Sequence, residues 1–239
     1  MPGLRVVRLG PERLRMGPWR GDARVACLAP VADTPGPTPA MVQHCCTMLE
    51  RQGFAEVVTA ALSIHEQRGF LLSGFEVREE LHLLSRDLDT LPRAPDAPLR
   101  RGRRRDRRPT LEIDTMAFPP FWRLDEMGLV DAMAATPSTR FRVAGHGRVL
   151  GYAVSGRAGA RGYLQRLAVH PEVQGQGLGR ALVLDGLRWM RRGGVIRAMV
   201  NTQVENDRAL QLYQSMGFQM EPTGLAVLVR RLPDRELTS

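Results

Sequence analysis

A glycine-rich segment, Gln174-Gly175-Gln176-Gly177-Leu178-Gly179, lies between a strand-like run and a helix-like run. The strand-like run covers residues 163–169, and the helix-like run covers residues 177–192. A strand that turns through glycines into a helix leaves N–H groups unpaired at the positive end of the helix dipole. Glycine is needed there because a Cβ blocks the close approach of a ligand, and some positions need φ > 0. The segment therefore predicts a phosphate-binding turn between a strand and a helix.

The rest of the second half of the chain alternates between helical and extended patterns. The helix-like runs are residues 111–117, 124–135 and 207–216, and the strand-like runs are residues 139–143, 149–154, 196–201 and 225–230. Strands interleaved with helices predict an α/β fold, in which a central mixed sheet is flanked by helices. The length of 239 residues is enough for one large domain or two small ones.

Residues 89–109 predict a linker between two halves. Four prolines in this stretch disfavour regular structure, and the seven arginines of residues 100–108 repel one another. We therefore divide the chain into residues 1–88, this linker and residues 110–239. Residues 100–108 contain seven arginines and one aspartate, so they carry +6 of the formal net charge of +9. Nucleic-acid binding is an alternative role for the run, but it has no aromatic side chains on which bases stack.

The two halves resemble each other at an offset of about 143 residues. The matched positions are Thr59 with Thr202, Ser63 with Asn206, Phe70 with Tyr213, and Gly74-Phe75 with Gly217-Phe218. Self-similarity at this spacing predicts a duplicated domain and not a solenoid of short repeats. In the first half, residues 29–40 replace the glycine segment, and their four prolines remove N–H donors. We expect the first half to keep the scaffold without the ligand site.

The glycine segment and its surroundings resemble the acetyl-CoA signature of the GNAT superfamily of N-acyltransferases. The family pattern, Arg/Gln-x-x-Gly-x-Gly/Ala, falls on Gln174, Gly177 and Gly179. A second family motif resembles residues further along the chain, namely Asn206, Ala209, Leu212-Tyr213 and Gly217-Phe218. The resemblance covers residues 110–232. It implies a tandem of two GNAT-like folds, of which the N-terminal one is degenerate.

The resemblance implies acetyl-CoA as the co-substrate and no metal. The N–H groups of the glycine segment would hold its pyrophosphate, with about 0.3–1 kcal/mol from the helix dipole. The amide-rich pantetheine arm would pair with the strand that enters the loop, provided that this strand separates from residues 196–201. Asn206 has an alternative role as a helix N-cap. The implied cofactor-binding residues are Leu167, Ala168, Val169, Gln174, Gly175, Gln176, Gly177, Leu178, Gly179, Arg180, Asn206 and Tyr213.

Tyr213 resembles the general acid of the family. A phenol near the sulfur can stabilise or protonate the CoA thiolate, and a free thiol of this kind has a pKa of about 8.5. The alternative role for Tyr213 is a core aromatic beside Phe218. The general base is not identified. Many relatives carry a glutamate near the position of Gln165, whereas this chain has an amide there, and an amide cannot act as a base. His170 and Glu172 are expected to be solvated turn residues.

The acceptor would be a primary amine on a protein or a small molecule. Residues 118–126 lie where the family builds its acceptor wall, so Phe118, Phe121 and Trp122 are candidate substrate-binding residues together with Gln165. Nearby carboxylates, Asp114, Asp125 or Glu126, would attract a cationic amine. The alternative is ordinary helix packing beside a solvated acidic turn.

Composition sets the remaining expectations. A hydrophobic content of 43% fits a soluble globular protein, and no apolar run is long enough for a membrane span or a signal peptide. Cys27, Cys45 and Cys46 favour buried thiols over a metal site or a disulfide framework, and a reducing cytoplasm. We expect a cytoplasmic N-acetyltransferase; the sequence gives no oligomeric state. The rival function is a non-catalytic acyl-CoA-binding or regulatory module whose arginine-rich linker contacts nucleic acid or an acidic partner.

Overall fold

The computed structural model describes residues 4–31, 34–93 and 95–233. These residues form two compact units. The first unit contains the described residues up to His82 and those from Pro222 onward, and the second contains Leu83–Glu221. The units therefore differ from the halves expected on either side of residues 89–109. The second unit starts before that stretch, and the last part of the chain belongs to the first unit.

Strands and helices alternate along much of the chain. Before the arginine run they are β1 (Arg5–Leu9), β2 (Glu12–Pro18), β3 (Val25–Pro30), α1 (Pro39–Arg51), β4 (Glu56–Thr59), α2 (Ile64–Leu71) and β5 (Glu76–Asp87). The following elements are β6 (Leu99–Arg101), α3 (Arg107–Ala117), α4 (Glu126–Ala134), β7 (Ser138–Ala144), β8 (Gly151–Ala158), β9 (Arg161–Val169), α5 (Leu178–Arg192), β10 (Arg197–Gln203), α6 (Asp207–Ser215), β11 (Gln219–Met220) and β12 (Leu225–Arg231). Short 3-10 turns precede α3, α4 and α5, at Arg104–Asp106, Pro120–Trp122 and Pro171–Val173. None of the helices among the described residues is long and apolar enough to cross a bilayer.

The first unit is a sheet with the strand order β1, β2, β3, β4, β12 and the beginning of β5. The last strand of the chain, β12, pairs antiparallel with β4 on one side and with β5 on the other. Helices α1 and α2 supply Met41, Leu49 and Phe70 to a core that also contains Leu28 and Leu228, all without exposed surface. The hydrophobic core of this unit is therefore completed by the C-terminal strand.

The three cysteines lie in this first unit. Cys27 is in β3, Cys45 and Cys46 are in α1, and all three are free and buried. Burial raises the pKa of Cys45 to about 12 and that of Cys46 to about 11. The thiols of Cys45 and Cys46 are therefore neutral core side chains at physiological pH.

The second unit is a sheet with the order β6, β7, β8, β9, β10, the end of β5, and β11. Within it, β9 and β10 run parallel, whereas β6 to β9 are joined by antiparallel pairs. Leu167 packs with the cluster beneath α5 and α6, and Ala168 packs with the cluster beneath α3 and α4. Because successive strand residues point to opposite faces, helices cover both sides of this sheet. The α/β class expected from the sequence is confirmed.

The arginine run is folded and is not a linker. Leu99–Arg101 is a strand that pairs with β7, and α3 already begins at Arg107. Pro109 lies in the first turn of α3, where a missing N–H removes no helical hydrogen bond. Asp106 accepts two hydrogen bonds from Arg100, both at 2.7 Å, which offsets part of the repulsion that we expected to keep this run extended.

The internal repeat has the same local geometry in both units. Phe70 and Phe75 pack edge to face with ring centroids 5.2 Å apart, and Tyr213 and Phe218 pack in the same way at 5.7 Å. The glycine before each second aromatic residue has nearly the same positive φ, +80° at Gly74 and +83° at Gly217. The sequence repeat therefore corresponds to a repeated helix–turn–strand unit.

Candidate active site

The glycine segment forms an open backbone nest at the start of α5. Gly175 and Gly177 have φ of +80° and +82°, and no atom lies within 4 Å of a Cβ built on either residue. Gly179 differs, because its Cβ would lie in ordinary contact with the Leu212 side chain of α6, at 3.4 Å. The backbone thus leaves free space in front of the first turn of α5, where unpaired N–H groups favour an anion.

Side chains around the nest fix its entry. Gln174 donates from Nε2 to the carbonyl of Val169 at 3.0 Å and accepts a hydrogen bond from Arg208. Arg180 reaches α6, where it donates to Ser215 at 3.4 Å. Leu178 packs against a buried cluster. Of the side chains named here, Arg180 and Arg208 bring positive charge near the turn.

Strands β9 and β10 separate just before the nest. Their parallel pairing comprises Arg161 with Arg197, Gly162 with Ala198 and Tyr163 with Met199, and it extends no further among the described residues. On its other side, β9 stays paired with β8 as far as Val169. Over the described residues, the edge of β9 that faces β10 therefore makes no strand pairing around Leu167 and Val169, where only the carbonyl of Val169 is held, by the side chain of Gln174. The separation expected from the sequence is present.

Gln165 is an extra residue in β9. The register with β8 shifts at this point, since Leu164 pairs with Ser155 and Arg166 pairs with Val154. The Gln165 side chain donates to Thr136 Oγ1 at 3.3 Å, and its buried Oε1 has no hydrogen-bond partner among the described residues. A bulge of this kind turns the adjacent backbone and side chains out of the regular ladder.

Tyr213 is buried in α6, with only 5% of its surface exposed. It packs against Phe218 and belongs to the cluster beneath α5 and α6, as the core interpretation expected. Its hydroxyl makes no hydrogen bond within the described part of the chain. Burial raises the pKa of Tyr213 to about 12, an effect that the charge of Arg166 partly opposes. The phenol is thus a protonated donor without a hydrogen-bond partner among the described residues.

Asn206 is the N-cap of α6. Its Oδ1 accepts a hydrogen bond from the N–H of Ala209 at 3.1 Å, which gives the helix start one of its missing partners. Its Nδ2 donates weakly to Gln203 at 3.5 Å. The structural role expected as the alternative for Asn206 is therefore present, and its amide nitrogen remains weakly held.

A buried ionic network lies behind the proposed acceptor wall. Asp114 is completely buried and accepts hydrogen bonds from Arg166 at 2.7 and 2.9 Å, from the N–H of Leu124 at 2.7 Å, and from the Tyr152 hydroxyl. Arg166 also donates to the carbonyl of Trp122 at 2.6 Å. These contacts tie α3, β8, β9 and the 118–126 segment together.

This network corrects the expected role of the carboxylates. Asp114 is already neutralised by Arg166, so it is not free to attract a cationic amine. Asp125 caps α4 by accepting from the N–H of Gly128 at 2.7 Å. The Arg166 guanidinium lies 3.5 Å from the centroid of the Phe118 ring, which fixes this ring on the wall. The pairing was not predicted from the sequence, although an arginine inside the apolar run of β9 was a signal for a buried partner.

His170 is a structural residue at the entrance to the loop. Only 6% of it is exposed, so the expectation of a solvated turn residue was wrong. The ring Nε2 of His170 lies 2.9 Å from Nη2 of Arg148. The backbone N–H of His170 donates to the carbonyl of Leu150 at 2.8 Å. His170 therefore anchors the end of β9 against the preceding hairpin.

The corresponding positions of the first unit are closed. Its strands β3 and β4 remain paired from Val25 to Leu28, and the N–H of Ala60 bonds to the carbonyl of Leu28 beyond that. At the start of α1, Glu12 accepts from the N–H and the hydroxyl of Thr38 at 2.5 and 2.9 Å. Ala32 and Asp33 of the intervening segment lie outside the described residues. A protein carboxylate thus occupies the helix end that the second unit leaves open.

Comparison with known proteins agrees with this geometry. The sequence model described as the Acetyltransferase (GNAT) family matches residues 107–218, which run from α3 to the end of the second motif. A mycothiol acetyltransferase of Kocuria rhizophila is 38% identical over 65 residues, which are 27% of this chain and 22% of that protein. One of Rhodococcus jostii is 32% identical over 102 residues, or 43% of this chain and 33% of that protein. The matches thus span a third or less of the length of these relatives.

Solved structures resemble the whole chain. A tandem GNAT protein from the clavulanic acid biosynthesis pathway has a TM-score of 0.68 at 16% identity, covering 95% of this chain and 81% of that one. A putative GNAT acetyltransferase of Novosphingobium aromaticivorans has a TM-score of 0.63 at 20% identity, covering 95% and 92%. These similar structures show the fold of the chain. The family match shows a similarity in sequence over residues 107–218, which lie in the second unit. Residues 107–218 therefore match the Acetyltransferase (GNAT) family, and the chain has the fold of solved GNAT proteins, a tandem GNAT protein among them.

Proposed function

We propose that the second unit binds acetyl-CoA and transfers its acetyl group to a primary amine. The observation that carries this proposal is the separation of β9 from β10 beyond Tyr163 and Met199, directly before the nest. An extended, amide-rich arm fits that gap and would pair with the free edge of β9. When bound, acetyl-CoA supplies a thioester whose carbonyl carbon accepts the amine lone pair while the sulfur leaves as a thiolate.

The residues that would hold acetyl-CoA lie on three adjoining elements. The backbone of β9 would pair with the arm, the nest would hold the pyrophosphate, and α6 would close the opposite side. The proposed contacts are Leu167, Ala168, Val169, Gln174, Gly175, Gln176, Gly177, Leu178, Gly179, Arg180, Asn206 and Tyr213. The open space before Gly175 and Gly177 supports the fit, because a Cβ at either position would project into it.

Tyr213 would donate a hydrogen bond to the departing sulfur. Burial raises the pKa of Tyr213 to about 12, so full transfer of its proton meets an added barrier from the desolvation of the phenolate. Stabilisation of the thiolate by a hydrogen bond does not meet this barrier. Tyr213 is therefore proposed as an electrostatic stabiliser of the leaving group, with the final proton coming from solvent or from the acceptor nitrogen.

The acceptor would meet the acetyl group near the bulge in β9. Phe118, Phe121 and Trp122 would form its apolar wall, and the backbone turned out at Gln165 would help to orient it. Gln165 cannot remove a proton from an ammonium group. At pH 7, deprotonation costs about 4.6 kcal/mol for a lysine of pKa 10.4 and about 1.4 kcal/mol for an α-amine of pKa 8. An amine of low pKa is therefore the favoured acceptor.

An acceptor screen with the full-length protein tests the proposal. The panel contains peptides with a free α-amine, peptides with only a lysine amine, amino sugars and amines related to mycothiol, the molecule in the names of the curated relatives. We expect CoA release that depends on the amine, together with an acetylated product identified by mass. Matched N-blocked peptides serve as the control. CoA binding without transfer to any amine would instead support the non-catalytic acyl-CoA-binding function.

A further inference from the structure

The turn between β6 and α3 carries a fixed group of arginines. Leu99–Arg101 pairs with β7, and the N–H of Gly102 donates to the carbonyl of Phe141 at 3.0 Å. A Cβ on Gly102 would lie 2.3 Å from the Phe141 ring, so the turn is packed tightly against β7. The arginines that follow are therefore presented by folded backbone and not by a flexible chain.

The single acid in this turn is fully used. Asp106 is 3% exposed and accepts from both terminal nitrogens of Arg100 and from the N–H of Arg103 at 2.8 Å. The Arg100 hydrogen bonds and charge hold the pKa of Asp106 below its ordinary value, so its carboxylate stays ionised. Arg101, Arg103 and Arg104 are exposed, and none of them makes an ion pair with another described residue.

These side chains line a cavity that is about half open to solvent. Arg100, Arg101, Gly102, Arg103 and Arg104 line a space of about 470 Å³, which lies within the usual size range of small-molecule sites. Four guanidinium groups and one committed carboxylate give it a strong positive potential. Guanidinium groups match the oxygens of phosphate in a bidentate geometry, whereas the lining has no aromatic ring on which a base could stack.

We propose that this cavity, the β6–α3 arginine site, binds a small molecule that carries clustered phosphates. The site is separate from the nest at α5, since β6 lies three strands away from β9 in the sheet of the second unit. At about 4.8 Å per strand, β6 and β9 themselves are roughly 14 Å apart across the sheet. Recognition here uses charge and phosphate geometry and no reading of a base.

Calorimetry of the full-length protein with inorganic tripolyphosphate tests this site. The titration is made with the nest saturated by CoA, so that phosphate binding at α5 does not contribute. We expect one saturable site per chain whose affinity falls as salt is raised. The variant Arg101→Gln/Arg103→Gln/Arg104→Gln should weaken binding by at least about tenfold, because each lost charge-assisted hydrogen bond is worth roughly that factor.

A second triple variant controls for net charge. Arg161→Gln/Arg192→Gln/Arg231→Gln removes the same charge from exposed arginines that do not line the site, and its affinity should stay within about threefold of the parent, since solvent and salt screen exposed charges. Equal weakening by both variants would overturn the proposal, as would the absence of saturable binding by the parent protein. Arginine-dependent binding of a single-stranded oligonucleotide without binding of tripolyphosphate would also overturn it, in favour of a nucleic-acid partner. Failure of CoA to bind in the first step would count against the proposed function and not against this site, which is then titrated without CoA.

Discussion

Tyr163 and Met199 form the last parallel pair between β9 and β10. At the offset of 143 residues, Met199 corresponds to Glu56, where β4 of the first unit begins to pair with β3. The pairing of the first unit therefore continues through the stretch in which the second unit opens. Together with Glu12 at the start of α1, this difference leaves a slot for an extended ligand in the second unit and closes the corresponding place among the described residues of the first unit.

The nest should lose affinity when one of its left-handed residues gains a side chain. We predict that Gly177→Ala weakens CoA binding by about tenfold, because an L-residue at a φ of +82° costs about 1–2 kcal/mol and the backbone will relax out of the nest geometry. Calorimetric titration of the full-length protein with CoA measures the effect.

Gly159→Ala is the matched control for this change. Gly159 also has a positive φ, +55°, with no atom within 4 Å of its Cβ position, but it lies in the turn between β8 and β9. The control should lose similar stability and keep its CoA affinity within about twofold, since it leaves the nest unchanged. Equal losses of CoA affinity in both variants would indicate a general loss of stability and would contradict a direct role of the nest.

Tyr213→Phe should slow the chemical step without weakening acetyl-CoA binding. The change removes a hydroxyl that has no partner among the described residues while keeping the ring that packs on Phe218. We expect kcat to fall by about a hundredfold, the usual cost of removing a preorganised hydrogen-bond donor from developing charge, with KM for acetyl-CoA nearly unchanged. Single-turnover kinetics separate chemistry from product release. An unchanged chemical step would leave Tyr213 as a core aromatic only.

The same residue makes a prediction about pH. Because burial raises the pKa of Tyr213 to about 12, the phenol stays protonated through the range in which the enzyme can be assayed. Below about pH 10 we therefore expect no fall in rate that is caused by deprotonation of Tyr213. The pH profiles of the parent protein and of Tyr213→Phe should have the same shape in this range. The raised pKa of Tyr213 also contributes to the stability of the fold. This contribution is full below pH 10, the ordinary pKa of tyrosine, and it is lost as the pH rises through 12.

The sequence predicted the parts of the structure that depend on local pattern. The positions of β9, α5 and α6 follow from their own apolar spacing, and the nest follows from its glycines. The strand partners did not follow in this way, since β12 joins β4 and β5 through contacts that are distant along the chain. The pair of Asp114 with Arg166 spans 52 residues, so the arginine inside the apolar run of β9 signals a buried partner but does not identify it.

The ionic network should be sensitive to the loss of one partner. We predict that Asp114→Asn destabilises the protein by about 3–5 kcal/mol, because Arg166, of which about 10% is exposed, would remain charged and buried without a counter-ion. The double variant Asp114→Asn/Arg166→Gln should recover part of this loss. Denaturant unfolding of both variants measures the coupling.

An exposed pair in the same helix gives the comparison for this prediction. Arg108 and Glu112 lie 3.3 Å apart with most of both side chains exposed, so Glu112→Gln should change the stability by less than about 1 kcal/mol. The acceptor KM should rise in Asp114→Asn and stay constant in Glu112→Gln, since only the first loosens the ring of Phe118. Equal effects of the two changes would mean that the network does not position the wall.

The composition of the units predicts which fragment folds. Residues 110–239 lack β5, β6 and the first turn of α3. They include β12, whose partner strands β4 and β5 are both outside this fragment. The loss of Leu84 and Leu88, both nearly fully buried, opens the core beneath α5 and α6. Residues 83–221 retain every strand of the second unit. We predict cooperative unfolding and CoA binding for 83–221 and neither for 110–239, measured by circular dichroism and calorimetry. A folded, CoA-binding fragment 110–239 would show that the end of β5 is dispensable and that the division at residues 89–109 is the correct one.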